Sequence, residues 1–547
     1  MNSLKKHFIL MYLIIQFIFN TGIIAGNPDP PENKPERLEW LQDAGFGMFI
    51  HWSMDSQLGS VISHSMVGAS DDYLDRFINV LPKTFNPKKL DMEEIAVLAK
   101  LAGMQYIVFT TKHHSGFCMW DTKTTNFNIM NTPYRKDILK EYVKAVRDQE
   151  LGVGFYYSPE DFWYLHNQNI KITRRGPGSD PEENSEYTEY ISTQMRELMT
   201  DYGDVNVMFF DGRGANPLKK ICWTQQPDIL ITRGVLNTPE QTLPGIPLEG
   251  VWEANLTMGT QWQYKPTNEV YKTGARLIEI LIETRAKGGA LLLNVGLKPD
   301  GQLPIEQEER LREIALWHFV NGESIHSVRP WIVTNEGDIW FTKNKETETL
   351  YVFITKMPDW IKGQRKSFLL RSVRATENTT VEVLGQSGKW VEYQPNTDAG
   401  AKWTQEKDGL HISAVRAQRL YNNSKWPNPV VLKLTNVEPA LVPPKVFTLT
   451  ATPEEKDKNT IVLKGNLENM GNAEKVQLGF QYRPYAGFVE ELYNDTWQES
   501  KFIDKSKTGK FQIKLQNLEK TKTYQFRAVV KHPLITVYGD IKRFTVQ

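Results

Sequence analysis

Between about residue 36 and residue 321, hydrophobic positions alternate between two textures. Short apolar runs come as FGMFIHW (46–52), QYIVFTTKHH (105–114), a GVGFYY run ending at Pro159, VNVMFFDG (205–212), DILITR (228–233) and ALLLNVG (290–296). Between them, apolar residues recur at helical spacing over 90–101, 138–146, 187–199 and 270–282. Strands that are apolar throughout, separated by amphipathic helices, indicate βα units around a parallel sheet covered on both faces. A stretch of this length suits one (β/α)8 barrel better than two α/β domains. Beyond Ser327 the period becomes two, in DIWFT, TLYVFI and VEVLG, which predicts an antiparallel β-sandwich. After LVPPKVF (441–447) the runs TIVLKGNLEN, EKVQLGFQYR, GKFQIKL and YQFRAVV predict a second all-β module of fibronectin or immunoglobulin type.

The first 25 residues have a different logic. Lys5 and Lys6 precede an apolar run from Phe8 to Phe19, followed by the small residues Gly22, Ala25 and Gly26. This is the pattern of a secretory signal, and the run is shorter than the ~20 residues that span a bilayer. The expected organisation is therefore a signal peptide (1–25), a barrel (26–326), a β-sandwich (327–440) and a C-terminal β module (441–547). The expected location is periplasmic or secreted, without stable membrane insertion.

Charge and composition narrow the partners. Sixty-five basic and 65 acidic residues cancel, so no chain-wide field draws the protein to nucleic acid. Aromatics make up 11%, with 15 Trp and 21 Tyr, side chains that suit carbohydrate clefts. The two cysteines, Cys118 and Cys222, are either one bridge or two buried thiols, and the burial habit of free Cys favours thiols. In the last module, Trp497 with Tyr482, Tyr485 and Tyr493 reads as core packing, with a sugar platform as the other use.

Chemistry is expected where the strands end, because the carboxyl ends of a parallel barrel face one cleft. Polar residues close the apolar runs repeatedly: His51 and Trp52; Lys112, His113 and His114; Tyr157 and Glu160; Asp211; Arg233; Glu253; Asn294. Asp211 follows Val207 and Phe209 on one face of its strand, which carries the carboxylate to the barrel mouth. Glu253, flanked by Trp252, Trp262 and Tyr264, is the second carboxylate, and Glu160 is the competing acid. Paired carboxylates beside aromatics suit glycoside hydrolysis, which needs no cofactor. Adjacent strand residues face opposite sides, so His113 and His114 are not expected to share a metal and serve better as hydrogen-bond donors to sugar hydroxyls. Neither a phosphate-cradling loop nor a G-x-S-x-G elbow is present. A sulfated substrate would require local positive charge, for which Lys112, Arg213 and Arg233 near the rim are the candidates.

FGMFIHW, TTKHHSGFCMWDTKTTNFN, GFYYSPEDFW, VMFFDG and WEANLTMGTQWQY, in this order, resemble the α-L-fucosidases of glycoside hydrolase family 29 over residues 36–321. The resemblance implies a retaining mechanism with Asp211 as nucleophile and Glu253 as general acid/base. Glu253 lies 42 residues further on, the spacing of bacterial members. It also implies that His51, His113, His114, Tyr157 and Arg233 line the sugar subsite, with Trp52 and Trp262 beside them. One block departs from the pattern. Where members carry Glu-Trp-Tyr after the first strand, this chain has SQLGSVISHSMVGASDDYLDRF, with His64 or Asp72 as substitutes for the acid. The expected substrate is thus an oligosaccharide or glycan ending in α-L-fucose. The alternative is α-L-galactose, which adds a hydroxyl that an apolar pocket rejects only weakly. A non-catalytic carbohydrate-binding protein is the third reading, and the oligomeric state is left open.

Overall fold

Seven parallel strands form the amino-terminal half: β1 Phe46–Ile50, β2 Tyr106–Lys112, β3 Gly152–Tyr157, β4 Val207–Phe210, β5 Leu230–Ile231, β6 Glu253–Thr257 and β7 Ala290–Val295. The computed structural model describes residues 32–420, 427–454, 460–485 and 496–546. The proposed signal peptide lies outside them. Spatial order is β5-β4-β3-β2-β1-β7-β6, so the sheet curls into a barrel of seven hydrogen-bonded strands rather than the expected eight. The eighth position is filled by irregular chain. Residues 236–241 run beside β6 through single parallel bridges, Asn237 with Trp252 and Glu240 with Asn255. Glu253 N–H donates to the Asn237 carbonyl (3.1 Å) and Asn255 N–H to that of Pro239 (2.9 Å). Pro239 has no N–H to donate, which prevents a regular ladder there.

Strand parity divides the core. Phe49, Tyr106, Val108, Tyr156, Val207, Phe209, Leu230, Ala290 and Leu292 fill the barrel interior. Their strand neighbours Met48, Ile50, Ile107, Phe109, Phe155, Met208, Leu291 and Leu293 face outward into the larger core under the helices. That shell includes α2 Met92–Leu101, α3 Ile138–Asp148, α4 Ser185–Thr200, α5 Asn216–Gln225, α6 Gly274–Ala286 and α7 Ile305–Asn321. Helix α1, Pro35–Ala44, closes the amino end: Leu41 and Ala44 join the interior cluster and Trp40 lies 5.7 Å from the Tyr106 ring.

Two β modules follow. Residues 328–439 build a five-stranded and a three-stranded antiparallel sheet around Phe341, Val352, Phe368, Ile412 and Leu432. Residues 445–545 build a three-stranded and a six-stranded sheet around Leu463, Leu478, Phe480, Phe511 and Phe526. Cys118 and Cys222 are free, buried thiols. Among the described residues no helix is long and apolar enough to cross a membrane.

Gly45, which ends α1, has φ of +63° and packs against buried Arg285. A Cβ at this position would lie 2.3 Å from the Arg285 guanidinium carbon. That guanidinium donates to the carbonyls of Gln42, Gly289 and Ile325, tying the barrel floor together. Gly45→Ala should therefore cost on the order of 2–4 kcal/mol in chemical denaturation, from strain plus disrupted hydrogen bonds. kcat should be little changed, because the rim is remote. An unaltered unfolding midpoint would show that Arg285 moves aside freely.

Candidate active site

Asp211 stands one residue past β4, with its carboxylate half-buried at the mouth. Gly212 follows at φ +113°, and a Cβ there would press within 3.0 Å of the Glu160 carboxyl carbon, so the turn requires glycine. Tyr156 Oη donates to Asp211 Oδ2 (2.9 Å), and Arg233 Nη1 donates to Oδ1 (3.2 Å). His114 Nε2 lies 3.5 Å from Oδ2 and Arg174 Nη2 4.0 Å from Oδ1. Burial alone would raise this carboxyl's pKa. The His114 contact, the Arg233 charge and the adjacent imidazoles outweigh it and hold the group well below the usual carboxylate range. Asp211 is therefore ionised at neutral pH, as a nucleophile must be. Burial, reinforced by Asp211, pushes the Tyr156 phenol up and keeps it a donor.

Three histidines complete the mouth. His51 Nδ1 donates to Asn294 Oδ1 (2.6 Å), whose amide donates to the Trp262 carbonyl (2.6 Å); the Trp262 ring sits 4.8 Å from that of His51. Burial depresses His51 to about 3, so it is a neutral imidazole at neutral pH. His113 pairs with Ser63 Oγ (2.9 Å) and stacks on Tyr156, and burial also lowers its pKa. The Ser158 hydroxyl donates to the Glu160 carbonyl, so it accepts from His114 Nδ1 (2.5 Å). β2 ends at Lys112, and the two imidazoles turn to the same side with centroids 4.4 Å apart. Strand alternation thus does not separate them: His113, His114 and Asp211 offer ligand atoms within 4.8 Å of one another, a geometry that would admit a cation.

Several expected residues lie elsewhere. Tyr157 faces the helices, where its hydroxyl donates to Gln194 (2.6 Å); its neighbour Tyr156 is the tyrosine in the pocket. The cause is parity: Tyr156 pairs with Phe209 and Tyr157 with Phe210, and Phe209 shares the inward face with Asp211. Trp52 is enclosed outside the barrel against Phe85. Lys112 is wholly buried on Asp161 at 3.0 Å, and Asp72 is exposed and paired with Arg76. Glu253 is the largest correction. It opens β6 instead of ending a strand, because the alternation Glu253, Asn255, Thr257 conceals a strand with a polar inner face. Four residues of strand, roughly 13 Å, separate it from the carboxyl end of β6. It is fully buried and accepts from Tyr106 Oη (2.5 Å). Glu160 is buried too, held by Arg174 Nε at 2.7 Å.

The structure instead brings Glu240 to the rim. Its side chain is 44% exposed, and Arg233 Nη2 donates to its Oε2 (2.8 Å) while Nη1 of the same guanidinium holds Asp211. One planar fork thus spans two carboxylates on opposite sides. The sequence signal was faint: a lone Thr-Pro-Glu in the connection after β5, with no apolar run leading to it. His64, from the divergent block, lies 5.4 Å from the His114 ring, and Ser63 from the same block holds His113.

Comparison with known proteins agrees with this architecture. A family model described as alpha-L-fucosidase matches residues 28–323. Plasma alpha-L-fucosidase of Rattus norvegicus is 28% identical over 446 residues, covering 73% of this chain and 91% of its own. The solved alpha-L-fucosidase isoenzyme 1 from Paenibacillus thiaminolyticus superposes with a TM-score of 0.59 at 25% identity, over 73% of this chain and 98% of that one. The alpha-L-fucosidase from Vibrio sp. strain EJY3 shares the fold over 94% of this chain and 92% of its own, with a TM-score of 0.62 at 19% identity.

Burial raises the Glu253 carboxyl from 4.5 to about 7, and Tyr106 only partly offsets it. A folded-state pKa above the unfolded one means that the folded protein holds the proton longer, so stability falls as pH rises from about 4.5 through 7. Glu253→Gln should remove about 3 kcal/mol of destabilisation at pH 8 and give no advantage below pH 4.5, read by denaturation across pH. Turnover should stay within about threefold of wild type; a loss beyond a hundredfold would restore Glu253 as the acid/base.

Proposed function

The chain is a glycoside hydrolase that belongs to the α-L-fucosidase family, glycoside hydrolase family 29, and we propose that it removes terminal α-L-fucose from glycans by double displacement. Asp211 attacks the anomeric carbon while Glu240 protonates the leaving oxygen. The resulting glycosyl-aspartate is then opened by water that Glu240 deprotonates. The observation that carries this reading is the Arg233 fork, with Asp211 on one nitrogen and Glu240 on the other. A guanidinium shared by two carboxylates holds them close to one another, as the pair of a retaining glycosidase must be. The Glu240 side chain is also open to solvent, whereas Glu253 and Glu160 are enclosed. His51, His113, His114 and Trp262 would bind the ring hydroxyls and face.

A second reading keeps the mechanism and exchanges the sugar for α-L-galactose. It is favoured by the wall that replaces the Glu-Trp-Tyr block: Ser63 and His64 are hydrogen-bonding groups facing His113 and His114, able to receive one more hydroxyl. We also propose that the enzyme works outside the cytoplasm, from the charge and apolar pattern of residues 1–25.

Asp211→Asn should abolish hydrolysis of an aryl α-L-fucoside. Glu240→Ala should lower kcat/KM about 10²–10⁴-fold on a poor leaving group. Azide should rescue that variant and yield a glycosyl azide of retained configuration. Wild-type rates in Glu240→Ala, or an inverted product, would refute the assignment. The ratio of kcat/KM on aryl α-L-fucoside and aryl α-L-galactoside decides the sugar; a hundredfold preference for fucose removes the second reading.

A further inference from the structure

The wall that replaces the Glu-Trp-Tyr block is built on a buried acid, Asp55. It lies in the one-turn helix Met54–Gln57, has no exposed surface, and accepts from the Ser63 N–H at 2.7 Å. Burial raises its pKa from 3.8 to about 6. The groups that most offset burial are hydrogen-bond donors rather than a cation: the Ser63 N–H, its own N–H, and the side chains of Ser53 and Gln263. At neutral pH the fold therefore keeps a buried charge here at a cost.

What the charge holds is a strained turn. Ser63 is itself buried and has φ of +58°, a conformation unfavourable to any residue with a Cβ. The turn is closed by the His64 N–H on the Ile62 carbonyl (2.6 Å). A charged acceptor on the Ser63 N–H makes a stronger hydrogen bond than a neutral one and opposes the strain from outside the turn. Gln263, next to Trp262, ties down the same wall by donating to the Ser60 carbonyl (2.8 Å).

The turn presents two groups to the barrel mouth. Ser63 Oγ lies 2.9 Å from His113 Nδ1, and the His64 ring lies 6.1 Å from that of His113 and 5.4 Å from that of His114. The His113 ring is parallel to that of Tyr156, at 5° and 5.3 Å between centroids, and the Tyr156 phenol donates to Asp211. A short chain of contacts thus runs from Asp55 through Ser63 and His113 to the tyrosine on the nucleophile.

We propose that Asp55 is a positioning residue for the sugar site: by holding the Ser63 N–H it keeps the turn in place and fixes the His113 ring toward the sugar. Being enclosed, it acts through Ser63 and does not touch the sugar. The inference rests on the reading of His113 as a sugar-binding residue.

The test titrates L-fucose and L-galactose into the full-length protein by calorimetry, so binding is read without turnover. Asp55→Ala should weaken the better-bound sugar about 10–100-fold, and Asp55→Asn, which keeps a neutral acceptor, should lose less. In a His113→Ala background, itself weakened, Asp55→Ala should cost less than about twofold more, because the group it positions is gone. Ser63→Gly is the second variant. Glycine adopts the positive φ freely, so its denaturation midpoint should not fall, while its affinity should drop as in Asp55→Ala. It takes the place of Asp55→Ala in the cycle if that variant does not fold. Wild-type affinity in Asp55→Ala or Ser63→Gly, or losses that multiply with that of His113→Ala, would overturn the proposal. Wild-type affinity in His113→Ala would overturn the sugar-binding reading of His113 along with it. Absence of aryl α-L-fucoside hydrolysis, with the binding losses as expected, would count against the reaction alone.

Discussion

A half-buried carboxylate that must stay ionised is the constraint around which this molecule is arranged. Asp211 is withdrawn from water far enough that burial by itself would neutralise it. Its charge survives because Arg233, Arg174, His114 and Tyr156 converge on it from three other strand ends and a loop. Each of these groups is aimed by something further out. Glu160 orients Arg174, Ser158 holds the ring of His114, and Phe209 and His113 flank Tyr156. The order of the barrel mouth therefore radiates from one negative charge, and the shared guanidinium of Arg233 extends it to Glu240.

Much of this was legible along the chain. Apolar runs broken by helical periodicity give the parallel sheet, and the inward alternation of Val207, Phe209 and Asp211 places the Asp211 carboxylate at the barrel mouth. Misreadings arose where one residue of register decides the outcome. Tyr156 and Tyr157 differ only in parity, and the register between β2 and β3 shifts between Thr110 and Lys112, close to where the tyrosines must be assigned. β6 escaped because its inner face is Glu, Asn and Thr, so hydrophobicity marks only its outer residues. Glu240 lies in chain with neither periodicity. It is identified by what stands opposite it, which only three dimensions supply.

Glu253 illustrates how a carboxylate with the sequence marks of a site residue can fold away from the mouth. It has the residue type, the aromatic neighbours and the expected spacing. Its place is the lower interior of the barrel, where Tyr106 satisfies one oxygen and the raised pKa keeps the group neutral at mildly acidic pH. A perturbed carboxyl is a pointer to function only when the group can also reach a substrate.

The irregular eighth position has a consequence for how such enzymes diversify. A strand bonded on both sides tolerates neither insertion nor deletion without shifting every residue beyond it to the other face. Asp211 directly follows such a strand, β4, and is locked in its count. The segment 236–241 is attached to β6 by a few single bridges, so residues can be gained or lost on either side of it while the barrel stays intact. Evolution can thus reshape the Glu240 side of the mouth, length and partner surface included, and leave the surroundings of Asp211 untouched. Distance along the chain between the two carboxylates is then a free variable of descent, not a signature of mechanism.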